Sequence, residues 1–378
     1  MEVSLSFWEK EVFYRKTDLI VIGAGIVGLT SAINFKKSNP NASVRLIDES
    51  IIPKGASTRN AGFACFGSMT ELIADIKANG EEACLKLVEK RWNGLKNLRS
   101  LVGENEMDYQ NLGGNEIFIS KDKHTYESVL DEMENMNKLL SSTIKESNIF
   151  SIGNQRYGMK SIVGLIHNRL EGQLHPGKMV KRLAEIAKDI GIIINRGVSV
   201  DNIESINDEA VCHLKKNGSI RAELVLIATN GFANRLTTDL DIKPARNQVI
   251  LTKPIPNLQI KGCFHYEKGY VYFRNIGQRL LLGGGRHWDL KKTETQLYGD
   301  NNFIQSKLMT FLKEHLLPHE SSIEIDHKWS GILGVGKEKN PIVKFIEPNI
   351  AVAIRMGGMG VAIGASVGEK AAQLLSNR

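Results

Sequence analysis

The sequence predicts an α/β fold in which a doubly wound domain is interrupted by a second domain with a mostly antiparallel sheet. Near the start, an apolar run at 19–22 leads into spaced glycines and a helical segment, and a second apolar run follows at 44–47. Two further buried-strand patterns, 224–228 and 350–354, come much later. Between these, short strand-like runs separated by glycine turns indicate an antiparallel sheet. Those runs are 248–252, 270–274 and 280–283.

The first segment is a complete dinucleotide-binding βαβ unit. Gly23-x-Gly25-x-x-Gly28 follows the first apolar run and opens the helix. The three glycines permit a tight turn, a close approach of the backbone to a pyrophosphate, and packing of the helix on the strand. Asp48 ends the second strand, where it can accept hydrogen bonds from an adenosine ribose and disfavours the 2′-phosphate of NADP. The motif therefore predicts FAD or NAD as the ligand and does not choose between them.

The remaining elements follow from periodicity and from start and stop signals. An aromatic segment containing Phe7, Trp8, Val12, Phe13 and Tyr14 is expected to pack across the first sheet. Small residues at 55–68 predict a loop. The other expected elements are helices at 70–78, 81–101, 126–140, 179–190 and 305–317, strands at 192–194 and 198–206, and a glycine loop followed by a helix ending at Leu375.

The order of these elements predicts two discontinuous domains. The nucleotide-binding domain is expected to comprise 1–85, 160–235 and 330–378, because strands typical of a parallel sheet recur in each part. The substrate-binding domain is expected to comprise 86–159 and 236–329. A length of 378 residues is ordinary for two domains.

Composition excludes several classes of protein. No run of 18 apolar residues is present, and charges interrupt the first ten residues, so we expect a cytoplasmic protein without a transmembrane segment. The four cysteines are far apart and predict neither a metal site nor a redox pair. The net charge of +7 comes from dispersed basic residues, which argues against a nucleic-acid-binding surface.

Seven motifs, in this order, resemble the D-amino-acid oxidase, glycine oxidase and sarcosine oxidase superfamily of FAD-dependent amine and amino-acid oxidoreductases, often called the DAO family. The resemblance extends from about Asp18 to Leu375 and implies a glycine oxidase-like fold with an FAD-binding Rossmann-like domain. Besides the first glycine motif with Asp48, the matching segments are 55–62, 171–179, 228–231, 244–248, 270–274 with 282–286, and 357–364.

The resemblance implies FAD rather than NAD. In the family, the loop matched by 55–62 lies beside the flavin, and the terminal glycine loop lies near the pyrimidine edge of its ring. The usual covalent attachment points, a histidine near the first loop and a cysteine near 331–336, are absent, so non-covalent FAD is expected. The expected FAD contacts are Gly23, Gly25, Ile26, Val27, Gly28, Asp48, Glu49, Ser57, Arg59, Asn60, Ala61, Gly62, Val198, Ala228, Thr229, Asn230, Gly231, Gly357, Gly358, Met359, Gly360 and Val361.

The resemblance is less specific about the substrate. Tyr270 matches a tyrosine that holds the substrate carboxylate in glycine-oxidase-like members, but Leu333 and Gly358 stand where those enzymes commonly have arginines. We therefore consider Arg274, Arg286 and Arg355 as replacement carboxylate anchors, each with the alternative of a structural ion pair. His265, Tyr266 and Tyr272 fit either an aromatic pocket or ordinary sheet packing.

The predicted function is oxidation of the C–N bond of a small amino acid or secondary amine, with hydride transfer to flavin N5 and hydrolysis of the resulting imine. The electron acceptor is O2, a quinone or another carrier; Leu281 replaces the lysine that assists the oxygen reaction in sarcosine-oxidase-like relatives, which favours a dehydrogenase. Two alternatives stay open. One is a tRNA wobble-uridine oxidoreductase of the same fold, and the other is a flavin-binding protein without turnover.

Overall fold

The first sheet of the protein contains a parallel core that carries the glycine motif. The computed structural model describes residues 5–154, 157–216 and 218–378. The strands of this sheet are β1 (Thr17–Ile22), β2 (Val44–Asp48), β8 (Ile193–Arg196), β9 (Val200–Ile206), β10 (Glu209–Leu214), β11 (Ser219–Ile227), β17 (Ile342–Glu347) and β18 (Ile350–Ile354). Its main order is β17-β18-β11-β1-β2-β8. The pairings from β18 to β8 are parallel, whereas β17 and the β9–β11 meander are antiparallel.

The second sheet is antiparallel except at one junction. Its strands are β4 (Gly114–Ile119), β5 (Phe150–Ile152), β6 (Ile162–Asn168), β12 (Lys243–Thr252), β13 (Cys263–Tyr266), β14 (Val271–Ile276), β15 (Arg279–Gly284) and β16 (Ile325–Val335). The order is β16-β12-β15-β14-β13-β4-β6-β5, and only β13 and β4 pair in parallel in the described part of this sheet. A separate pair joins β3 (Phe63–Ala64) to β7 (Gly172–Gln173).

Helices cover the first sheet and flank the second. In chain order they are α1 (Phe7–Val12), α2 (Ile26–Ser38), α3 (Ala56–Arg59), α4 (Met69–Asn79), α5 (Glu81–Val102), α6 (Lys123–Ile144), α7 (Pro176–Asp189), α8 (Leu290–Thr293), α9 (Asn302–Phe311) and α10 (Gly360–Ser376). A 3-10 turn, Asn230–Arg235, follows β11, and a π-helical turn, Leu312–Leu316, extends α9.

Small residues bring three of the helices into close contact. A Cβ on Gly368 of α10 would lie 2.0 Å from Oγ1 of Thr30 in α2, and a Cβ on Gly94 of α5 would lie 2.1 Å from the carbonyl oxygen of Ala362. Glycine at these positions therefore fixes the spacing of α2, α10 and α5. This packing holds the helix that begins at the glycine motif against the helix that follows the terminal glycine loop.

The predicted fold class is confirmed, with differences in detail. Strand β6, placed by the sequence in the nucleotide-binding domain at 160–235, pairs with β4 and β5 in the second sheet. Strand β16 crosses the expected boundary at 330 and lies in the second sheet along its whole length. Helix α5, divided at 85/86 by the prediction, packs as one unit against α10. These pairings join distant segments, and local periodicity does not reveal them.

The expectation for the amino-terminal aromatic segment is confirmed for Tyr14, which is partly buried against the cluster containing Ile20, Ile22 and Ile47, but it is wrong for α1. Helix α1 buries none of its residues; Phe7 is 64% exposed and Trp8 is 74% exposed. Ser6 caps this helix through a reciprocal pair of hydrogen bonds with Glu9, so local capping rather than burial holds it.

Candidate active site

The glycine motif forms a cradle at the carboxyl end of β1. Gly23 has a φ of 108°, and a Cβ there would lie 2.8 Å from the carbonyl oxygen of Ala228. A Cβ on Gly28 would lie 1.8 Å from the carbonyl oxygen of Gly23, and one on Gly25 would lie 2.8 Å from Oγ of Ser57. A side chain at any of the three positions would crowd its neighbours. With glycine there, the backbone amides at the start of α2 stay open to a ligand.

Asp48 is fixed where β2 ends. Its Oδ2 accepts a hydrogen bond from the amide of Ala24 at 2.8 Å, and its Oδ1 accepts one from the amide of Ser50 at 2.8 Å. Each oxygen keeps a second lone pair, so the carboxylate can also accept from a ribose hydroxyl. The neighbouring Glu49 forms an exposed ion pair with Arg235, at 3.4 Å.

The loop at 55–62 is tied to the cradle. Oγ of Ser57 accepts the amide of Ile26 at 3.0 Å, at the first residue of α2. Asn60 closes the loop on itself, because its Nδ2 donates to the carbonyl of Ser57 at 2.8 Å and its Oδ1 accepts the amide of Gly62 at 2.8 Å. Arg59 donates to the carbonyl of Ser330 at 2.8 Å, and this bond joins the loop to the second sheet.

The terminal glycine loop is held against the same cradle. Oδ1 of Asn230 accepts hydrogen bonds from the amides of Arg355 at 3.1 Å and Met356 at 3.3 Å, and the amide of Gly357 donates to the carbonyl of Gly334 at 3.0 Å. Helix α10 then begins at Gly360. Asn230 therefore joins the loop after β11 to the loop after β18, two segments that the sequence places far apart.

The resulting cavity fits the group that the motifs predict. Its wall includes Thr229, whose hydroxyl is buried and has no hydrogen-bond partner among the residues of the described ranges. An unpartnered buried hydroxyl beside a helix N-terminus suits a polar ligand such as a dinucleotide. Fifteen of the predicted contacts line this cavity: Gly23, Gly25, Ile26, Val27, Asp48, Glu49, Ser57, Asn60, Val198, Ala228, Thr229, Asn230, Gly358, Gly360 and Val361.

The other predicted contacts do not line this cavity. Gly28, Gly62 and Gly231 line neither this cavity nor the adjoining one; they pack against backbone carbonyls of Gly23, Leu174 and Leu333, respectively. Arg59, Ala61, Gly357 and Met359 line the adjoining cavity instead. Sequence reasoning missed several lining residues that belong to no motif, namely Lys54, Phe232, Leu236, Tyr298 and Ile332.

The adjoining cavity, or second cavity, has a volume of about 570 Å³ and lies between the cradle and the second sheet. The two cavities share Ala56, Asn60, Leu333, Gly358 and Val361. Phe63, His265 and Tyr272 contribute aromatic walls, with the Phe63 ring 5.4 Å from each of the other two rings and edge-on to both. Burial raises the pKa of Tyr272, so its phenol stays neutral.

Two of the four predicted substrate anchors reach this cavity. Tyr270 and Arg286 both line it, and the Arg286 guanidinium lies 5.4 Å above the Tyr270 ring. Within the described part of the chain, Arg286 forms no ion pair or hydrogen bond. Tyr270 is 38% exposed, which places the pair at the rim of the cavity.

The structure does not bring Arg274 to this cavity. Its Nη1 donates to the carbonyls of Gly62 at 2.8 Å and Leu174 at 2.9 Å. The side chain is buried against the end of the 55–62 loop, where it supports the backbone. The sequence could not show this role, because both partners are backbone carbonyls of other segments.

Arg355 is likewise turned away from the cavity. Its side chain is 7% exposed and pairs with Asp241 at 2.7 Å and Glu338 at 3.4 Å, and its Nε donates to the carbonyl of Asn340 at 2.8 Å. The residue has a φ of 69°, a strained value for a side chain other than glycine. Arg355 thus braces the terminal glycine loop through structural ion pairs and is not a carboxylate anchor in this cavity.

A charged network, whose residues belong to none of the sequence motifs, lies along another wall of the second cavity. Glu71, Asp75 and Lys339 line the cavity, and Lys339 Nζ contacts Glu71 at 3.0 Å and Asp75 at 2.7 Å. Arg91 pairs with Glu71 at 3.2 Å. Burial alone would raise the pKa of Glu71, but the cations of Arg91 and Lys339 lower it below its ordinary value.

A second buried group comprises Cys65, Glu171 and His265. Nε2 of His265 lies 3.1 Å from Oε2 of Glu171, and Oε1 of Glu171 accepts the amides of Phe66 at 3.0 Å and Gly67 at 3.3 Å. Burial alone would lower the pKa of His265, but the hydrogen bond and charge of Glu171 raise it above the ordinary value. Glu171 is the first residue of the matching segment 171–179, but the sequence predicts no role for it.

The part of the chain that the structure describes contains no helix long and apolar enough to cross a membrane.

A family model, a curated protein and several solved structures are similar to this chain over most of its length. A family model described as "FAD dependent oxidoreductase" matches residues 18–374. The "Probable oxidoreductase OrdL" of Rhizobium meliloti (strain 1021) is 25% identical over 374 residues, which cover 95% of this chain and 83% of that protein. Among solved structures, L-proline dehydrogenase from P. horikoshii superposes with a TM-score of 0.76 at 19% identity, covering 96% of this chain and 94% of that one. Glycine oxidase from Geobacillus kaustophilus gives a TM-score of 0.75 at 18% identity, covering 96% and 95%.

Proposed function

The chain belongs to the family of FAD-dependent oxidoreductases, and from this premise we propose that it oxidises the C–N bond of a small amino acid or secondary amine. FAD, when bound, supplies the acceptor for the hydride that leaves the substrate carbon. The product is an imine, which water hydrolyses. The observation that carries the proposal is the second cavity, which adjoins the dinucleotide cradle and combines aromatic walls with an unpaired arginine at its rim.

The residues of the cradle would hold the cofactor without a covalent bond. The start of α2 would face the pyrophosphate, and Asp48 would accept from the ribose. The terminal glycine loop would present backbone amides near the start of α10, where a partial positive charge favours developing negative charge. Cys65, the cysteine near the first loop, is buried, and burial raises its thiol pKa, which disfavours the thiolate that a covalent link would need.

The rim of the second cavity would bind the substrate carboxylate. The guanidinium of Arg286 can bind both carboxylate oxygens, and the hydroxyl of Tyr270 can donate a further hydrogen bond. Arg274 and Arg355 already use their donors on protein oxygens, so we assign them to bracing the two flavin-side loops. The aromatic walls formed by Phe63 and Tyr272 would orient the substrate and exclude water.

The absence of an oxygen-assisting lysine supports an acceptor other than O2. Leu281, at the corresponding place, is 2% exposed and packs with Ala61, Val249 and Leu251. At the position of that lysine, this apolar cluster offers no cation to stabilise reduced oxygen. We therefore propose a dehydrogenase that passes electrons to a quinone or another carrier.

The proposed reaction can be tested by anaerobic mixing of the FAD-loaded protein with a panel of substrates. The panel contains amino acids, N-methylated amino acids, polyamines and 2-hydroxy acids, and loss of the visible flavin absorbance reports reduction. We expect at least one amino acid or secondary amine to reduce the flavin, and 2-hydroxy acids to leave it oxidised. If no amine causes reduction, the C–N oxidation proposal fails. Salt-sensitive binding of tRNA together with that result would favour the wobble-uridine alternative.

A further inference from the structure

The buried pair of Glu171 and His265 is the feature of the second cavity that substrate binding leaves unexplained. Glu171 is 1% exposed and His265 is 7% exposed, and Nε2 and Oε2 are 3.1 Å apart. Two backbone amides, of Phe66 and Gly67, donate to the other oxygen of Glu171. Such amides stabilise the ionised carboxylate, because a carboxylate accepts hydrogen bonds and donates none.

The contacts around His265 fix the orientation of its ring. Glu171 holds Nε2 at one end, and the edge of Phe63 packs against the ring at a centroid distance of 5.4 Å. At the other end, Nδ1 faces Gly269, where a Cβ would lie 3.7 Å away. Gly269 and His265 both line the second cavity. No described residue forms a hydrogen bond with Nδ1, so this atom is available to a molecule in the cavity.

The same contacts decide which ring nitrogen carries the proton in the neutral imidazole. An ionised Glu171 accepts a hydrogen bond from Nε2–H, and this tautomer leaves a lone pair on Nδ1. Burial opposes a charged imidazole, but the hydrogen bond and charge of Glu171, with the charges of Glu116 and Glu71, raise the pKa of His265. The titratable groups around the ring are Glu171 after β6, Glu116 on β4, Glu71 on α4, Cys65 after β3, Tyr272 on β14 and Lys268 in the β13–β14 turn.

We propose that Nδ1 of His265 is the general base that removes the proton from the substrate ammonium group. This inference depends on the proposed function, because an amine must be neutral before its carbon can release a hydride. The N–H bond breaks, its proton passes to Nδ1, and the nitrogen keeps the electron pair. The imidazolium is stabilised by Glu171. The neutral nitrogen could then use its electron pair to form the C=N bond as the substrate carbon loses its hydride, for which bound FAD would supply the acceptor.

The central test is the pH dependence of anaerobic flavin reduction in His265→Asn. The FAD-loaded variant is mixed with an amine that reduces the unaltered protein, between pH 6 and 10. General-base catalysis contributes roughly 10²–10⁴-fold. We therefore expect reduction at pH 7 to be at least about 100-fold slower in His265→Asn. This deficit should shrink at high pH, where the substrate amine is already neutral.

The chain offers a matched control for that variant. His213 in β10 also pairs with a glutamate, with 3.4 Å between its Nε2 and the Oε2 of Glu204, but it does not line either cavity. His213→Asn should retain the original reduction rate and pH profile. If His265→Asn also retains them while the unaltered protein is reduced, the general-base role is overturned and the proposed reaction stands. If no amine reduces the unaltered protein, both proposals are overturned.

A second measurement does not depend on turnover. Nitrogen-15 NMR of histidine side chains in the FAD-loaded protein identifies the protonated ring nitrogen and its titration, with His265→Asn used to assign the signal. We expect the Nε2–H tautomer for neutral His265 and a lower pKa in Glu171→Gln, which removes the charge that raises it. A neutral ring protonated at Nδ1 would overturn the inference, because that nitrogen could not accept the substrate proton.

Discussion

At the scale of single residues, the cradle depends on the absence of side-chain atoms at three glycines. We predict that Gly28→Ala loses FAD and is destabilised by about 1–3 kcal/mol, since its Cβ would lie 1.8 Å from the carbonyl oxygen of Gly23. Gly177→Ala in α7 is the control, because Gly177 lines neither cavity and a Cβ there would meet only the exposed ring of His175, at 3.2 Å. The ratio of FAD absorbance to protein absorbance and the thermal midpoint measure both effects. Equal FAD content in the two variants would contradict the argument.

Two arginines allow substrate binding to be separated from structural support. Arg286→Ala should raise KM for a carboxylate substrate about tenfold or more without changing the thermal midpoint, because Arg286 forms no ion pair in the described ranges. The measurements are steady-state kinetics with an artificial electron acceptor and thermal unfolding. An unchanged KM would remove Arg286 as the carboxylate anchor.

Arg355→Ala should lower the stability of the protein and leave KM unchanged. Loss of charge-assisted hydrogen bonds to Asp241 and to the carbonyl of Asn340 should destabilise the protein by roughly 1.5–3 kcal/mol. Denaturant unfolding of the FAD-loaded variant measures this loss. A fully stable Arg355→Ala protein with a raised KM would instead return Arg355 to the substrate site.

At the scale of elements, Lys339 joins the loop between β16 and β17 to α4. Glu71 is partly buried and has a lowered pKa, so its ionic contribution to stability is present above its unfolded pKa and is lost as the pH falls through its folded pKa. Lys339→Met should therefore cost stability at pH 7, and the cost should shrink as the pH falls toward 4. Because the Lys339 side chain is 44% exposed, we expect only about 0.5–1 kcal/mol at pH 7.

Urea unfolding at pH 7 and pH 4 tests this connection between elements. Lys337→Met is the matched control, since this exposed neighbour makes no ion pair with the residues that the structure describes. A stability difference between Lys339→Met and the original protein that is the same at both pH values would indicate a packing effect rather than an ionic one.

The elements also show where prediction from sequence succeeds. Strands β1, β2, β11 and β18 were predictable, because each contains a short, mostly apolar run that is followed by a turn signal. The pairing of β6 with β4 was not, because pairing between distant strands leaves no local pattern. The contacts of Arg274 and Arg355 were not predictable for the same reason. Their hydrogen-bond and ion-pair partners lie in distant segments that come together only in the folded chain.

At the scale of the whole molecule, one hydrophobic core extends across both sheets. It contains Leu19 and Val21 of β1 together with Phe118 of β4 and Ile166 of β6. Proteins with two domains or a bound cofactor often unfold in several steps. Because this core is shared by both sheets, we predict instead that the FAD-loaded protein unfolds in one transition, with flavin release and loss of helical circular dichroism coinciding in urea. Free FAD should raise the midpoint of both signals, since it binds the folded state. Flavin release well before the loss of circular dichroism would show that the cradle opens independently.

The position of β18 in the first sheet has a consequence for biosynthesis. This strand pairs with β11, and the loop and helix that follow it complete the cradle through Gly358, Gly360 and Val361. A ribosome therefore exposes β1, α2 and β2 long before it releases the segment that closes the site. We expect a nascent chain arrested before 350 to bind FAD poorly, so that the cofactor is acquired late in synthesis or after it.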